Sequence, residues 1–434
     1  MKGDISRDTF QAARNIRRVV AQQGRPWLDA DWNEQVSVLL YRLETLAADM
    51  FGEHAAINDG FAIEAIGQEP TKKPFTFAVR RGRYYLHGLM CENHDPSEVT
   101  LETHDAKPYF VYLHAWEQYV SGAEESAIVE PALNGVETCG RTIVRWCLES
   151  READSMNVQW EQFRQKQDLE LLGATLKLKA RRVVDDRGPA RLQGQSGYSA
   201  MGNVLYRVEV HDAGKNPSFK WAPNNASALT PVSREGADLK CHGAGDLDAA
   251  FQPDGWVEVH RSPGRAQRES AGTLLRISAI DREARTLQVS GALPAGDRLF
   301  ARPWTGHEPV KAGSFQPLDA GLEISFDTGS SRSLRVGQYW LIALRTDGGG
   351  QVYWPKRNDR VYEWVALDDA ALGKIGVAAR ETDASAHRSR IADTADIPYR
   401  RRHYYGPLAV IQFEQNGDLD SKNIQDRRHV PKQP

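Results

Sequence analysis

Two aspartates separated by a single residue, Asp29 and Asp31, are the first residues whose spacing could do chemistry. Paired carboxylates can hold different protonation states and divide acid and base work. Both also bracket the start of a helix, where capping alone accounts for them. His211-Asp212 offers a base with an orienting carboxylate, but no nucleophile falls beside it, and such a pair is ordinary turn chemistry. Gly417-Asp418-Leu419-Asp420, running on to Asn423, has the oxygen content of a calcium loop. It lacks the glycine at the sixth loop position and the glutamate at the twelfth, which favours a solvated tail. Arg400-Arg401-Arg402-His403 could hold a phosphate or an acidic partner, or form a solvated edge. The four cysteines, Cys91, Cys139, Cys147 and Cys241, contain no C-x-x-C pair. Cys241-His242 and Cys91 with His94 lack the paired spacing of a structural zinc site. The expectation is therefore reduced, buried thiols and no metal.

Phosphate loops, dinucleotide fingerprints, His-Glu-x-x-His and Gly-x-Ser-x-Gly are absent from the sequence, which removes the commonest enzyme classes. Trp27, Trp32, Trp116, Trp146, Trp221, Trp256, Trp304, Trp340, Trp354 and Trp364 could include a sugar-stacking platform. Their positions in alternating strands favour core or interface anchors.

The elements that must position these residues begin with Gln22-Gln23-Gly24-Arg25-Pro26-Trp27-Leu28-Asp29-Ala30-Asp31-Trp32. Gly24 and Pro26 make a turn, and Asp31 with Glu34 reads as a capping box at a helix start. Leu28 and Trp32 are expected to be buried there. Val36, Leu39/Leu40, Leu43, Leu46/Ala47 and Met50 then recur every three to four residues, and Gly52 is a stop. The stripe is close to a heptad seam. It either packs on its own domain or self-associates.

The 434 residues, 41% of them hydrophobic, can bury a core large enough for more than one domain. The content of 36 Gly, 21 Pro, 11 Trp, 14 Tyr and 13 Phe favours β-structure with many turns. A net charge of −3 argues against a dedicated nucleic-acid binder. No run approaches the ~20 apolar residues of a membrane span, and Met1 to Arg18 lacks the apolar core of a secretory signal. The chain is expected to be cytoplasmic when made, or to leave by a route needing no signal peptide.

Strand patterns follow at 75–79 and 84–90, with Arg80 to Arg83 as a hairpin turn, and at 109–117 and 141–148. A short helix near Trp160 and Phe163 and a charged run around Arg181 to Pro189 come next. Leu205-Tyr206-Arg207-Val208-Glu209-Val210-His211 alternates strictly. Further strands are expected at 219–221, 255–260, 273–280, 286–291, 297–302, 321–327, 335–345, 361–366 and 406–413. Residues 380–402 read as an exposed loop. The reading is a mainly β, α+β chain: antiparallel sandwich- or barrel-like domains behind an N-terminal amphipathic helix. Its divisions are 1–54 (docking turn and helix), 55–150 (antiparallel β), 151–200 (helical, charged connector), 201–416 (sandwich or barrel) and 417–434 (polar tail, frayed or partner-bound).

The opening Met1-Lys2-Gly3-Asp4, Ser6-Arg7 and the Gln22 to Gln35 block resemble the start of an uncharacterised bacterial family. Its members are encoded beside baseplate and tail genes of phage-like contractile injection systems. The resemblance continues through Gly82-Arg83-Tyr84-Tyr85-Leu86-His87-Gly88 with Cys91-Glu92-Asn93. It runs on through Tyr112-Leu113-His114-Ala115-Trp116-Glu117 to Glu130-Pro131-Ala132-Leu133. Tyr206 to Gly214, Phe219-Lys220-Trp221 and Asn224-Asn225-Ala226-Ser227 follow, then Gly337 to Ile342, Trp354-Pro355 and His403 to Ala409. Ala222-Pro223 stand where the family usually has Arg-Asp or Arg-Glu.

The resemblance implies a baseplate-, spike- or fibre-associated particle component, and it carries no catalytic residues. The expectation is a non-enzymatic adaptor without a cofactor that docks on other particle proteins as a homo-oligomer, a trimer by preference. Trp27, Leu28, Asp29, Asp31, Trp32, Val36, Leu39, Leu43, Leu46 and Met50 would form its docking surface. The particle itself could be released extracellularly. The alternative is a carbohydrate-binding or carbohydrate-active β-protein acting on a cell-surface glycan.

Overall fold

Antiparallel pairing organises the chain into three β units behind one long helix. A computed structural model describes residues 2–5, 9–10, 12–66, 75–100, 105–133, 137–167, 169, 174–180, 204–242, 247–261, 271–318, 322–328, 334–345, 351–355, 362–365 and 403–431. The Arg181 to Pro189 run, the 380–402 loop and the Arg400-Arg401-Arg402 cluster lie outside the described residues.

The first unit is built on a sheet in the order Ile424–Asp426, His403–Gln412, Pro108–Val120, Arg141–Glu152. One face of this sheet presents Val111, Leu113, Ala115, Leu408 and Ile411 to two smaller sheets. These are His54–Ala56, Gly82–Leu86, Leu89–Asn93 and Ile63–Ala65, Thr76–Val79, Ser97–Thr100. Phe61, Phe77, Val79, Tyr84 and Leu86 complete that core. Part of the other face, Phe110 and Tyr112, is covered by α2 (Trp160–Lys166), where Phe163 stacks on Phe110 at 4.5 Å.

Two sequence expectations change here. Thr76–Val79 and Gly82–Leu86 do not form a hairpin across Arg80 to Arg83, because they belong to different sheets. Gly82, at φ +140, passes directly over Gly60, where any Cβ would lie 2.6 Å from the Gly60 Cα. The hairpin turn falls instead at His87-Gly88. The polar C-terminal segment is docked, not frayed. Ile424–Asp426 adds an edge strand, Leu419 is buried, and the His429 carbonyl accepts from the Ala56 N–H at 2.8 Å. Arg428 donates to the Gly60 carbonyl at 2.7 Å. Chain from beyond the 416 boundary thus joins the unit assigned to 55–150.

The second unit is a six-stranded sheet in the order Gly306–Pro309, Ser218–Ala222, Val204–Asp212, Tyr339–Arg345, Gln351–Pro355, Tyr362–Val365. Tyr206, Val208, Val210, Phe219, Trp340 and Ile342 share a core with Leu176, Ile324 and Phe326. These last three come from the smaller sheet of Thr175–Ala180, Leu322–Asp327 and Gln316–Pro317, so the two sheets form a sandwich. The third unit is a closed six-stranded barrel in the order Thr230–Glu235, Asp238–Cys241, Thr286–Ser290, Thr273–Asp281, Trp256–Arg261, Leu299–Trp304. Its interior is filled by Val232, Leu239, Val257, Val259, Leu275, Ile277 and Leu287, as a small barrel requires. The mainly β, antiparallel reading with an N-terminal helix holds. The 201–416 segment resolves into sandwich, barrel and a strand returned to the first unit.

Candidate functional site

Helix α1 (Asp29–Phe51) carries the sequence-derived docking residues. Its N-cap is Leu28, and Asp31 at the third helical position accepts the Leu28 N–H at 3.3 Å. The cap is therefore shifted from the expected Asp31–Glu34 box. Leucine offers no acceptor side chain, so only the backward half of a capping box forms. Glu34 instead accepts from the Thr9 hydroxyl. Asp29 lies in the first turn, where a carboxylate suits the positive end of the helix dipole. Gly52, at φ +78, ends the helix as expected, its N–H bonded to the Ala48 carbonyl at 2.8 Å.

One side of α1 rests on the protein. Tyr41 meets Phe10 at 5.3 Å, Gln35 accepts from the Val19 N–H at 2.8 Å, and Phe51 meets Tyr85 at 5.0 Å. The Glu44 backbone sits so close to Gly88 that no Cβ would fit there. Only Ala30 and Val38 of the helix are buried. The opposite face is bare: Trp32, Val36, Leu39, Leu43, Leu46 and Met50 are between 37% and 67% exposed. Trp27 and Leu28 are exposed as well, at 59% and 47%. Burial of Leu28 and Trp32 within the chain is thus not observed, because the sheets meet the helix only along its other side. The spacing of the bare residues is four, three, four, three, four, the 3.5-residue period of a coiled-coil seam.

The second feature, a cavity of ≈ 860 Å³, lies where the three β units converge. Strand alternation builds its charged wall. Tyr206, Val208 and Val210 face the sandwich core, so Arg207 and Glu209 must face the other way. Solvent would normally take that face, but here it meets the barrel, and both residues are buried. Lys220, directly opposite Glu209 in register, joins them. Glu209 accepts from Arg207 at 2.7 Å and pairs with Lys2 at 2.8 Å. Glu258 of the barrel pairs with Lys220 at 2.5 Å and accepts from the Trp304 indole at 2.9 Å. Arg207 stacks 3.5 Å over the Tyr339 ring and donates to Asn225, which donates to the Gly3 carbonyl. Asn224, Asn225 and Ala226 are three successive residues at φ 50–56, a strained turn kept in place by these bonds.

Burial pushes Lys2 down to about 7, against the attraction of Glu209 and Glu258. Burial alone would raise Glu209, but the charges of Lys2, Arg207 and Lys220 outweigh it and hold the carboxyl well below the usual range. Glu258 is held low in the same way by Lys220 and Lys2.

The first unit supplies the remaining wall: His114, Trp116, Gln118, Glu149, His403 and Tyr405. Two buried donors on the cavity lining, the Trp116 indole N–H and the Gln338 amide nitrogen, have no hydrogen-bond partner among the described residues.

The other sequence candidates stay apart. Asp212 accepts from the Gly214 N–H at 2.7 Å, which is the turn reading, and His211 faces Lys220 at 3.4 Å. Asp420 accepts the Lys422 N–H at 3.0 Å and pairs with its ammonium at 2.9 Å, while Leu419 points into the core, so no calcium loop forms. Cys91, Cys147 and Cys241 are buried, whereas Cys139 is exposed. Trp116, Trp160, Trp221, Trp304 and Trp340 are buried anchors, and the side chains of Trp354 and Trp364 lie outside the described residues. Sequence reasoning did not single out Lys2, Glu258 or Arg302 as site residues: Glu258 and Arg302 face each other in the barrel register, and Lys2 reaches Glu209 from the N-terminal segment, outside any strand.

Architecture and site define a mainly antiparallel β protein with a bare amphipathic helix and a charged central cavity. One family profile, described as a family of unknown function (DUF6519), matches residues 1–165, which takes in α1 and the Pro108–Val120 and Arg141–Glu152 strands. No curated protein sequence and no solved structure matches the chain. No helix among the described residues is long and apolar enough to cross a membrane.

Proposed function

We propose that this protein is a non-enzymatic assembly component of a phage-tail-like contractile injection particle, an adaptor at its baseplate or fibre. It is made in the cytoplasm and built into the particle as a homo-oligomer. The particle assignment rests on the sequence resemblance, and the observation that supports self-association is the bare heptad stripe of α1. Six apolar side chains in register over about three heptads form a surface that a soluble monomer rarely leaves uncovered. A 3.5-residue period is the one that keeps a seam facing identical helices as they supercoil. Second copies of the same helix are therefore its occupants. Leu40, also exposed, and Ala47 lie beside the stripe and widen it beyond a strict two-stranded seam, as in a helical bundle, and we take the assembly to be a trimer. The β units would then present their surfaces to neighbouring particle proteins.

The test is to sediment particles from cells making either the wild-type chain or a Leu43→Glu, Leu46→Glu variant. Sheath, tube and chain should pellet together for the wild type, and the variant should stay in the supernatant. A wild-type chain absent from the particle fraction would refute the assignment.

A further inference from the structure

Strand register brings three metal-ligand side chains onto one face of the first sheet. His114 lies directly across from Cys147, and Glu149 follows two residues on, so all three project to the same side. The His114 Nδ1, the Cys147 Sγ and a Glu149 oxygen all lie within 4.8 Å of one another. We propose that His114, Cys147 and Glu149 form a binding site for one divalent transition-metal ion of the zinc class, open on its fourth side to the central cavity.

The surroundings fit that ion in four respects. First, the His114 ring is oriented for ligation. Both ring nitrogens are held, Nδ1 by Glu149 Oε1 and Nε2 by His403 Nδ1, each at 2.7 Å; when the ion displaces the Nδ1 proton, Nε2–H can be donated to His403, which turns the Nδ1 lone pair toward Glu149 and Cys147. Second, the Tyr112 hydroxyl donates to Glu149 Oε2 at 2.8 Å, which occupies one carboxylate oxygen and aims the other, Oε1, at His114. Both His114 and Glu149 thus have the outer hydrogen-bond partners that metal ligands carry. Third, the spacing is close to what is needed. Ligands at zinc bond lengths sit roughly 3.3–3.8 Å apart in a tetrahedron. Cys147 Sγ is 3.8 Å from His114 Nδ1, Glu149 Oε1 is 2.7 Å from that nitrogen, and the carboxylate lies within 4.8 Å of Sγ, so binding requires Glu149 to move away from His114 and take a position beside both. Fourth, a thiolate and a carboxylate balance the two positive charges, and the thiolate with the imidazole selects zinc over magnesium or calcium. His114 and Glu149 line the cavity, so water or a ligand atom from that side completes the shell. Binding releases the thiol proton and any proton shared between His114 and Glu149, so affinity falls in acid.

The experiment uses the full chain, stripped with chelator and titrated with zinc, and separately with cobalt(II) as a spectroscopic probe. The expected result is one ion per folded chain, with a near-ultraviolet thiolate-to-cobalt band. Cys147→Ser should abolish the band and weaken binding at least about tenfold, and Tyr112→Phe should weaken it about tenfold. Cys139→Ser, which alters the exposed cysteine, should change neither. Substoichiometric binding by the wild-type chain overturns the proposal without any variant. Full-affinity binding by a folded Cys147→Ser chain overturns it equally.

Discussion

Glu209 and Glu258 are buried carboxylates compensated by Lys2, Arg207 and Lys220, and His211 and His260 stand beside them. Burial, with Lys220 nearby, holds His211 down to about 4, and burial, with Arg302 nearby, holds His260 down to about 3. Below pH 6.5 the unfolded chain therefore takes up protons that the folded chain refuses, and stability falls. Below about 4.5 the two glutamates add to the loss, because their folded values lie well under their unfolded ones. Melting temperature should drop between pH 7 and 5 and drop more steeply below 4.5. A His211→Gln, His260→Gln variant should lose less between pH 7 and 5, and a flat wild-type profile down to pH 4 would contradict this account. Asp31 is a smaller matter. Its bond to the Leu28 N–H is long and exposed, so Asp31→Ala should cost only about 0.5 kcal/mol by chemical denaturation. A loss above about 2 kcal/mol would mean that the carboxylate does more than cap. The two residue groups differ in how far the sequence reveals them. Asp31 sits in a local motif, visible apart from a shift in the cap. Glu258 and Lys220 are 38 residues apart and meet only across two packed units.

At the scale of elements, periodicity was a sound guide where an element's partner is close in sequence. The helix from Asp29, its stop at Gly52, α2 near Trp160 and most strand positions all follow from local pattern. It failed where one residue redirects the chain. Gly82 sends its strand into a different sheet, and nothing in the alternation of 75–79 and 84–90 encodes that. It also could not say which face of a strand meets what. The alternation of Leu205 to His211 is the pattern of a half-exposed strand, yet both faces are covered. His114, Cys147 and Glu149 stayed hidden for the same reason, since their grouping depends on cross-strand register. The α1 stripe is the reverse case, an apolar face that the chain itself leaves bare. Leu43→Glu should therefore change the stability of the isolated fold by no more than ~0.5 kcal/mol, as at an exposed site. Unfolding of the variant under native conditions would show that the stripe packs on its own chain.

For the whole molecule, the ends of the chain matter more than their composition suggests. Lys2 and Gly3 enter the charged cluster, and residues 403–431 complete the first β unit. Deleting residues 417–434 removes the Ile424–Asp426 strand, the buried Leu419 and the Arg428 bond to Gly60. The melting temperature should fall by at least about 5 °C, and an unchanged value would show the docked tail to be dispensable. Among the described residues the bare face of α1 is a broad apolar surface, and the proposal is that copies join through it. Light scattering coupled to size exclusion tests that claim most directly, on the wild-type chain and on the Leu43→Glu, Leu46→Glu variant at the same concentration. The account predicts the mass of three chains for the wild type and of one for the variant, with unchanged circular dichroism. A wild-type monomer at high concentration, or a variant of unchanged mass, would contradict it.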